Sequence, residues 1–193
     1  MITHINGKLT EKNPTYVVID CHGVGYFINI SLNTYSSIGE GEQLKLFTHL
    51  QIKEDGHTLY GFYTKVEREI FRLLISVSGI GPGIARTMLS SLTPKEVSTA
   101  IATGNVSAIQ SVKGIGAKTA QRVILDLKDK VLKIGEIEDI NISMGNTNKD
   151  EALSALEVLG FLRKQAEKVV QRIVSENSEL SVEAIIKEAL KRL

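Results

Sequence analysis

Two octapeptides in the middle of the chain hold the residue types best suited to chemistry: Ser78-Gly79-Ile80-Gly81-Pro82-Gly83-Ile84-Ala85 and Lys113-Gly114-Ile115-Gly116-Ala117-Lys118-Thr119-Ala120. Both read Gly-Ile-Gly-x-x-x-Ala, and they lie 35 residues apart. A backbone that turns sharply between helices and comes within hydrogen-bond reach of a phosphate has no room for Cβ atoms at the turn. The amides of Gly79, Gly81, Gly114 and Gly116, and of the residues just after them, fall at predicted helix N-termini. There, unpaired N–H groups and the positive dipole end favour an anion. Ile80 and Ile115 are expected to anchor the turns inward, Ala85 and Ala120 to let the helices pack closely, and Pro82 to occupy a first helical position.

Two phosphate motifs are excluded. A Walker A loop needs Gly directly before its Lys, but Ala117 precedes Lys118. The dinucleotide fingerprint lacks its third glycine, and no predicted strand precedes either repeat. What remains is a helix-hairpin-helix written twice.

The elements that must position these turns follow from periodicity. Residues 1–62 read as five short strands. Val24-Tyr26-Ile28-Ile30 and Leu44-Leu46-Thr48-Leu50-Ile52 alternate strictly, and apolar runs lie at Ile2–Leu9, Tyr16–Asp20 and Thr58–Phe62. Five such strands predict a small closed barrel, most simply an oligonucleotide-binding (OB) fold. Residues 63–133 read as helical, with Ile70, Phe71, Leu74 and Ile75 before the first turn and Ala108, Ile109 and Val112 before the second. Thr93-Pro94-Lys95-Glu96 is a capping box for the helix between them. After the second turn, Ala120, Val123, Ile124, Leu127 and Val131 share one helix face. Lys118 and Arg122 lie near that helix's start and Arg86 near the start of the helix after the first turn, where cations oppose the dipole unless an anion binds. Residues 134–148 lose helical periodicity and predict a flexible linker, with Ile134, Ile137, Ile140 and Ile142 as the makings of a short strand instead. Residues 149–193 predict three short helices, capped by Thr147 with Asp150, ended by Gly160, and restarted at Ser181. Such a bundle serves either as a stability module or as a docking module for a partner.

Composition is that of an ordinary soluble chain of 193 residues, with 42% hydrophobic and 23% charged residues. The single cysteine, Cys21, permits no internal disulfide and fits a reducing cytosol. The four histidines show no metal-ligand spacing with it. Charge is uneven: net −2 over residues 1–62, +6 over 63–133 and −3 over 134–193. The basic block is the block with the glycine turns. Lys53-Glu54-Asp55-Gly56 joins the fourth and fifth strands. Asp-Gly is a hairpin signal in its own right, but two adjacent acids at the tip would also repel DNA strands.

This order of parts resembles the RuvA family, the Holliday-junction-binding subunits of bacterial branch-migration machines, along the whole chain. Met1-Ile2 with Gly7, Gly23-Val-Gly-Tyr26, Phe47-Thr-His49, Glu54-Asp55 with Leu59-Tyr-Gly-Phe62, both hairpins, and Ala155-Leu-Glu-Val-Leu-Gly-Phe161 carry the resemblance. It implies an α+β multidomain chain: an OB barrel (1–62), a tandem helix-hairpin-helix domain (63–133), a linker (134–148) and a UBA-like three-helix bundle (149–193). It implies a non-catalytic cytoplasmic protein of recombination, DNA repair and the SOS response, without cofactors or metals. A homotetramer, alone or paired into an octamer, would hold four-way junction DNA open and square-planar, with the RuvB ATPase motor and the RuvC resolvase as partners. Implied phosphate contacts are Gly79, Gly81, Gly83 and Arg86 at the first turn and Gly114, Gly116, Lys118, Thr119 and Arg122 at the second. Glu54 and Asp55 match the family's acidic pin, and Leu159, Phe161, Ile186 and Leu190 are the implied motor-docking residues. Many family members have Lys where this chain has Gly83, so the first turn must rely on amides and Arg86. Two other readings of the same residues stand beside this one. A helix-hairpin-helix glycosylase or nuclease would need catalytic carboxylates, and Asp126 and Asp129 read as surface ion pairs beside Lys128 and Lys130. A general DNA-binding adaptor would have the hairpins without junction preference.

Overall fold

A computed structural model describes residues 1–54, 56–142, 148–177 and 180–193. It divides into two compact units, Met1–Glu136 and Ile137–Leu193.

The first unit opens with strands β1 (His4–Asn13), β2 (Tyr16–Cys21), β3 (Val24–Ile30), β4 (Gln43–Lys53) and β5 (Gly56–Phe62). They close into an OB-like barrel in the order β1-β2-β3-β5-β4. All neighbours are antiparallel except β3 and β5, which pair in parallel with Ile28 opposite Leu59. Alternation decides the register: Ile5, Val17, Ile19, Ile28, Ile30, Leu44 and Leu46 all turn into the barrel core. The five strands expected from alternation are all present. A short helix, α1 (Leu32–Ser37), joins β3 to β4 and has no counterpart in the sequence reading. At six residues it is too short to show a 3.6-residue period, and its one signal is Ser31, whose side chain accepts from the Thr34 amide as N-cap.

Five helices complete this unit: α2 (Lys65–Ile75), α3 (Pro82–Ser91), α4 (Pro94–Ala102), α5 (Val106–Gln110) and α6 (Ala117–Ile142), the last running on beyond it. The capping box forms as its residues require, with Thr93 and Glu96 satisfying each other's backbone amides. Helix α6 is longer than its apolar period. It takes in residues 134–142 of the segment expected to be a linker, and residues 143–147, with the Thr147 cap, lie outside the described residues. No proline interrupts the stretch, and a helix already nucleated extends at little cost even through Gly135. The apolar faces of these helices form one core around Phe71, Leu74, Met88, Leu89, Ile101, Ile109 and Leu127.

Barrel and helices are joined by a polar and aromatic seam. Phe71 of α2 meets the rings of Tyr60 and Phe62 of β5 at centroid distances of 5.1 and 4.8 Å. Glu67 of α2 is 3% exposed, and its carboxylate accepts from Ser31 Oγ at 2.5 Å and Thr34 Oγ1 at 2.7 Å. Asn33 Nδ2 donates to the carbonyls of Leu89 and Leu92 at the C-terminal end of α3, and the Leu32 amide donates to Ser90 Oγ.

The second unit contains α7 (Asn148–Val158), α8 (Arg163–Glu176) and α9 (Val182–Arg192). They share a core of Ala152, Leu153, Leu156, Ala166, Val170, Ile173, Ile185 and Ala189. Ser181 caps α9 by accepting from the Ala184 amide, as the sequence predicts.

Candidate nucleic-acid interface

The two glycine turns are built alike, atom for atom. Ile80 N donates to Val77 O at 3.0 Å, and Ile115 N to Val112 O at 3.1 Å. Ala85 N donates to Gly81 O at 3.0 Å, and Ala120 N to Gly116 O at 2.9 Å. Ile80 and Ile115 are 4% and 6% exposed, and Ala85 and Ala120 are fully buried. The inward anchors and the small helix contacts are therefore where the repeat puts them.

The four turn glycines divide into two kinds. Gly79 and Gly114 both have φ = +95°, a conformation that L side chains rarely adopt, so their identity is set by the backbone. Gly81, the N-cap of α3, has φ = −85°, and Gly116 is not among the positive-φ residues. A Cβ added to either would meet nothing within 4 Å. Neither backbone nor packing asks for glycine there.

The turns also lean on each other. A Cβ at Gly79 would sit 3.7 Å from the Thr119 side chain, and one at Gly114 would sit 3.8 Å from Ile84. Thr119 and Ile84 hold the same place in their repeats, five residues after the first glycine, so the contacts are reciprocal. Thr119, half-buried in this packing, thus lies beside the first turn although it belongs to the second.

Among the described residues no protein acceptor takes the N–H groups of Gly81, Gly83 or Ile84 at the first turn, or of Gly116, Ala117, Lys118 or Thr119 at the second. All point from helix N-termini, where the backbone dipoles favour negative charge. Lys118 and Arg122 are exposed one turn apart on α6 and form no ion pair among the described residues. Gly83 is exposed, with open space where a side chain would project. Arg86 behaves differently from the other cations: its Nη1 donates to Asn29 Oδ1 at 2.8 Å and to Thr15 O at 3.4 Å, which turns it onto the barrel.

Away from the turns, Lys53 pairs with Gly56 to close the β4–β5 hairpin, and Glu54 stands exposed at its tip. Asp55 lies outside the described residues. In the second unit Phe161 and Ile186 pack against the bundle core, while Leu159 and Leu190 are exposed. Val158 and Leu162, which the sequence reading does not single out, are exposed beside Leu159. For Val158, at the end of α7, the signal was its place outside the buried set of Ala152, Leu153 and Leu156. Among the described residues no group of His, Cys, Asp and Glu is placed to hold a metal, and no helix is long and apolar enough to cross a membrane.

Comparison with known proteins covers all three parts. Residues 1–61 match the family described as RuvA N terminal domain, 71–129 the SAM-like helix-hairpin-helix tandem, and 147–193 the RuvA C-terminal domain. The chain belongs to the RuvA family. It is 65% identical over its full length, and that of the relative, to a protein of Christiangramia forsetii named Holliday junction branch migration complex subunit RuvA. A Flavobacterium psychrophilum protein of the same name is likewise 65% identical over all of both chains, and one from Cytophaga hutchinsonii is 50% identical over 99% of each. The RuvA relatives are thus named as one subunit of a Holliday junction branch migration complex.

Proposed function

We propose that this chain binds four-way DNA junctions as a homotetramer, holds them open, and delivers them to the ATP-driven partner of the branch-migration complex in the cytoplasm. The observation that carries the reading is the duplicated turn. Two matching turns that present free amides, each with a glycine required neither by φ nor by packing, suit two DNA phosphates.

In this reading Gly79 and Gly114 shape the turns, while Gly81, Gly83 and Gly116 let the backbone meet the phosphate directly. Lys118 and Arg122 add charge, supplying salt-sensitive attraction without sequence preference. Thr119 supports the first turn as well as offering its amide. Arg86 fixes α3 to the barrel, so its contribution is to aim the first turn. Glu54 and Asp55 act at the crossover by repelling the strands that meet there. Leu159 and Leu190, with Val158 and Leu162, form the apolar surface that docks the RuvB motor; the RuvC resolvase approaches the junction face left open by a single tetramer.

A gel-shift titration tests this directly. On a synthetic four-way junction and a linear duplex of matched length, with magnesium and excess competitor duplex, the chain is expected to prefer the junction by at least about a thousandfold, the lower end of the range between specific and non-specific DNA binding. Equal affinity for both would transfer the proposal to a general helix-hairpin-helix adaptor.

A further inference from the structure

The outer face of the barrel carries an aromatic pair that neither folding nor the glycine turns account for. On β2 and β3 the residues Val17, Ile19 and Ile28 fill the barrel, so Tyr16, Val18, Phe27 and Asn29 face outward. One outward row, Tyr16–Asn29–Tyr60–His49, runs across the sheet by direct pairing. The helices cover it: Arg86 bonds Asn29, and Phe71 packs on Tyr60 and His49. The next outward row contains the pairs Val18–Phe27 and Gln51–Thr58, and among the described residues no helix covers Phe27, which is 54% exposed. Tyr16 stacks on its ring at a centroid distance of 4.6 Å and an interplanar angle of 24°. Single exposed aromatics are ordinary. Here the ring is held flat by a second ring, on a rigid hairpin, with more than half of the residue left open.

Its position narrows what it can meet. On one side lies α3, the helix that starts at the first glycine turn, held to the barrel through Arg86 at the neighbouring row. On the other lies the β4–β5 tip, where Glu54 follows Gln51 by three residues, about 10 Å of extended strand. In the junction-binding reading, a DNA strand passing from the first turn towards the acidic tip would cross this face. Strands parted at that tip expose unpaired bases, and every base offers a π-face that stacks on an aromatic ring.

We propose that Phe27, backed by Tyr16, is a stacking platform for an unpaired DNA base at the parted crossover. The proposal rests on the junction-binding reading above, and it adds a single-strand site to the duplex grips.

The chain has no tryptophan, so Phe27→Trp gives the full-length protein a lone fluorescent reporter. Its emission is expected to be quenched by oligothymidylate of about twenty nucleotides and by a four-way junction, and to be unchanged by linear duplex. Phe27→Ala should weaken oligothymidylate binding at least about fivefold, the lower end of a base–aromatic stack, and Phe27→Tyr should restore it. Absence of quenching, or wild-type affinity in Phe27→Ala, overturns the platform. So does a lower oligomeric mass of Phe27→Ala in light scattering, which would mark the pair as a contact between copies. Junction preference of the wild-type chain is read separately by gel shift. Its loss would remove the proposed function while leaving the oligothymidylate result to stand or fall alone.

Discussion

Glycines that look alike in the repeat do different work, and substitution separates them. Alanine at Gly79 or Gly114 forces a side chain into φ = +95°, which costs of order 1–3 kcal/mol and lowers the melting temperature by several degrees. Alanine at Gly81 or Gly116 enters open space. It is expected to leave the melting temperature within about a degree while weakening junction binding, because the new methyl would stand where the proposed phosphate contact is made. Thermal melts and gel shifts on the same four variants check the split, and a stable, fully binding Gly81→Ala would refute it. Gly83 belongs with the second kind. Lysine there reaches solvent beside the free amides of α3, so the log–log salt dependence of DNA binding should steepen by about 0.9 per added phosphate contact. Identical slopes for wild type and Gly83→Lys would show that this position does not face DNA. The repeat pattern made all these positions legible. What it did not reveal is which glycine is fixed by the backbone and which stands over open space, since that depends on φ and on packing. Arg86 shows the same gap, because its spacing from the turn suits a phosphate while its actual partners, Asn29 of β3 and Thr15 of the β1–β2 turn, come more than fifty residues earlier.

At the level of elements, strands and helices followed from alternation, apolar period and caps, and the barrel closed as five such strands require. The seam between barrel and helices was not legible, because it is made of polar residues whose partners are distant in sequence. Glu67 reads as an ordinary N3 acid of α2 after the Thr64 cap, yet its carboxylate is buried against Ser31 and Thr34 of the barrel. Burial raises its pKa above the ordinary 4.5, and the hydroxyl and Tyr63 backbone hydrogen bonds offset only part of that rise. The sign follows from linkage. Where the folded pKa exceeds the unfolded one, the folded state binds the proton more tightly, so stability falls as pH rises through that interval. Urea midpoints of wild type and Glu67→Gln, measured between pH about 4 and 7, should therefore show the wild type losing ground to the variant as pH increases. The reverse trend would mean that the donors around Glu67 outweigh its desolvation. Helix α6 is the other lesson of this scale: periodicity marks where a helix has a face to bury, and it does not mark where an uninterrupted helix stops.

Across the whole molecule the second unit has its own apolar core, so deleting residues 149–193 should leave the barrel and hairpins folded. Such a chain is expected to retain junction binding within about twofold and to lose stimulation of the motor, measured as ATP-dependent branch migration of a labelled junction. Stimulation by the truncated chain would relieve the bundle of its proposed role. Replacing Glu54 and Asp55 with Gln and Asn should leave junction affinity equal or tighter, since the repulsion is removed, while altering the rate of migration. An unchanged rate would make the tip a plain hairpin turn. The reciprocal seating of the two glycine turns bears on how DNA leaves. Gly79 rests on the helix that opens from the other turn, and Gly114 on the helix that opens from its own counterpart. If each turn holds a phosphate as proposed, a shift that frees one would dislodge the support of the second, and an arm would let go in a single event, like a latch with one catch.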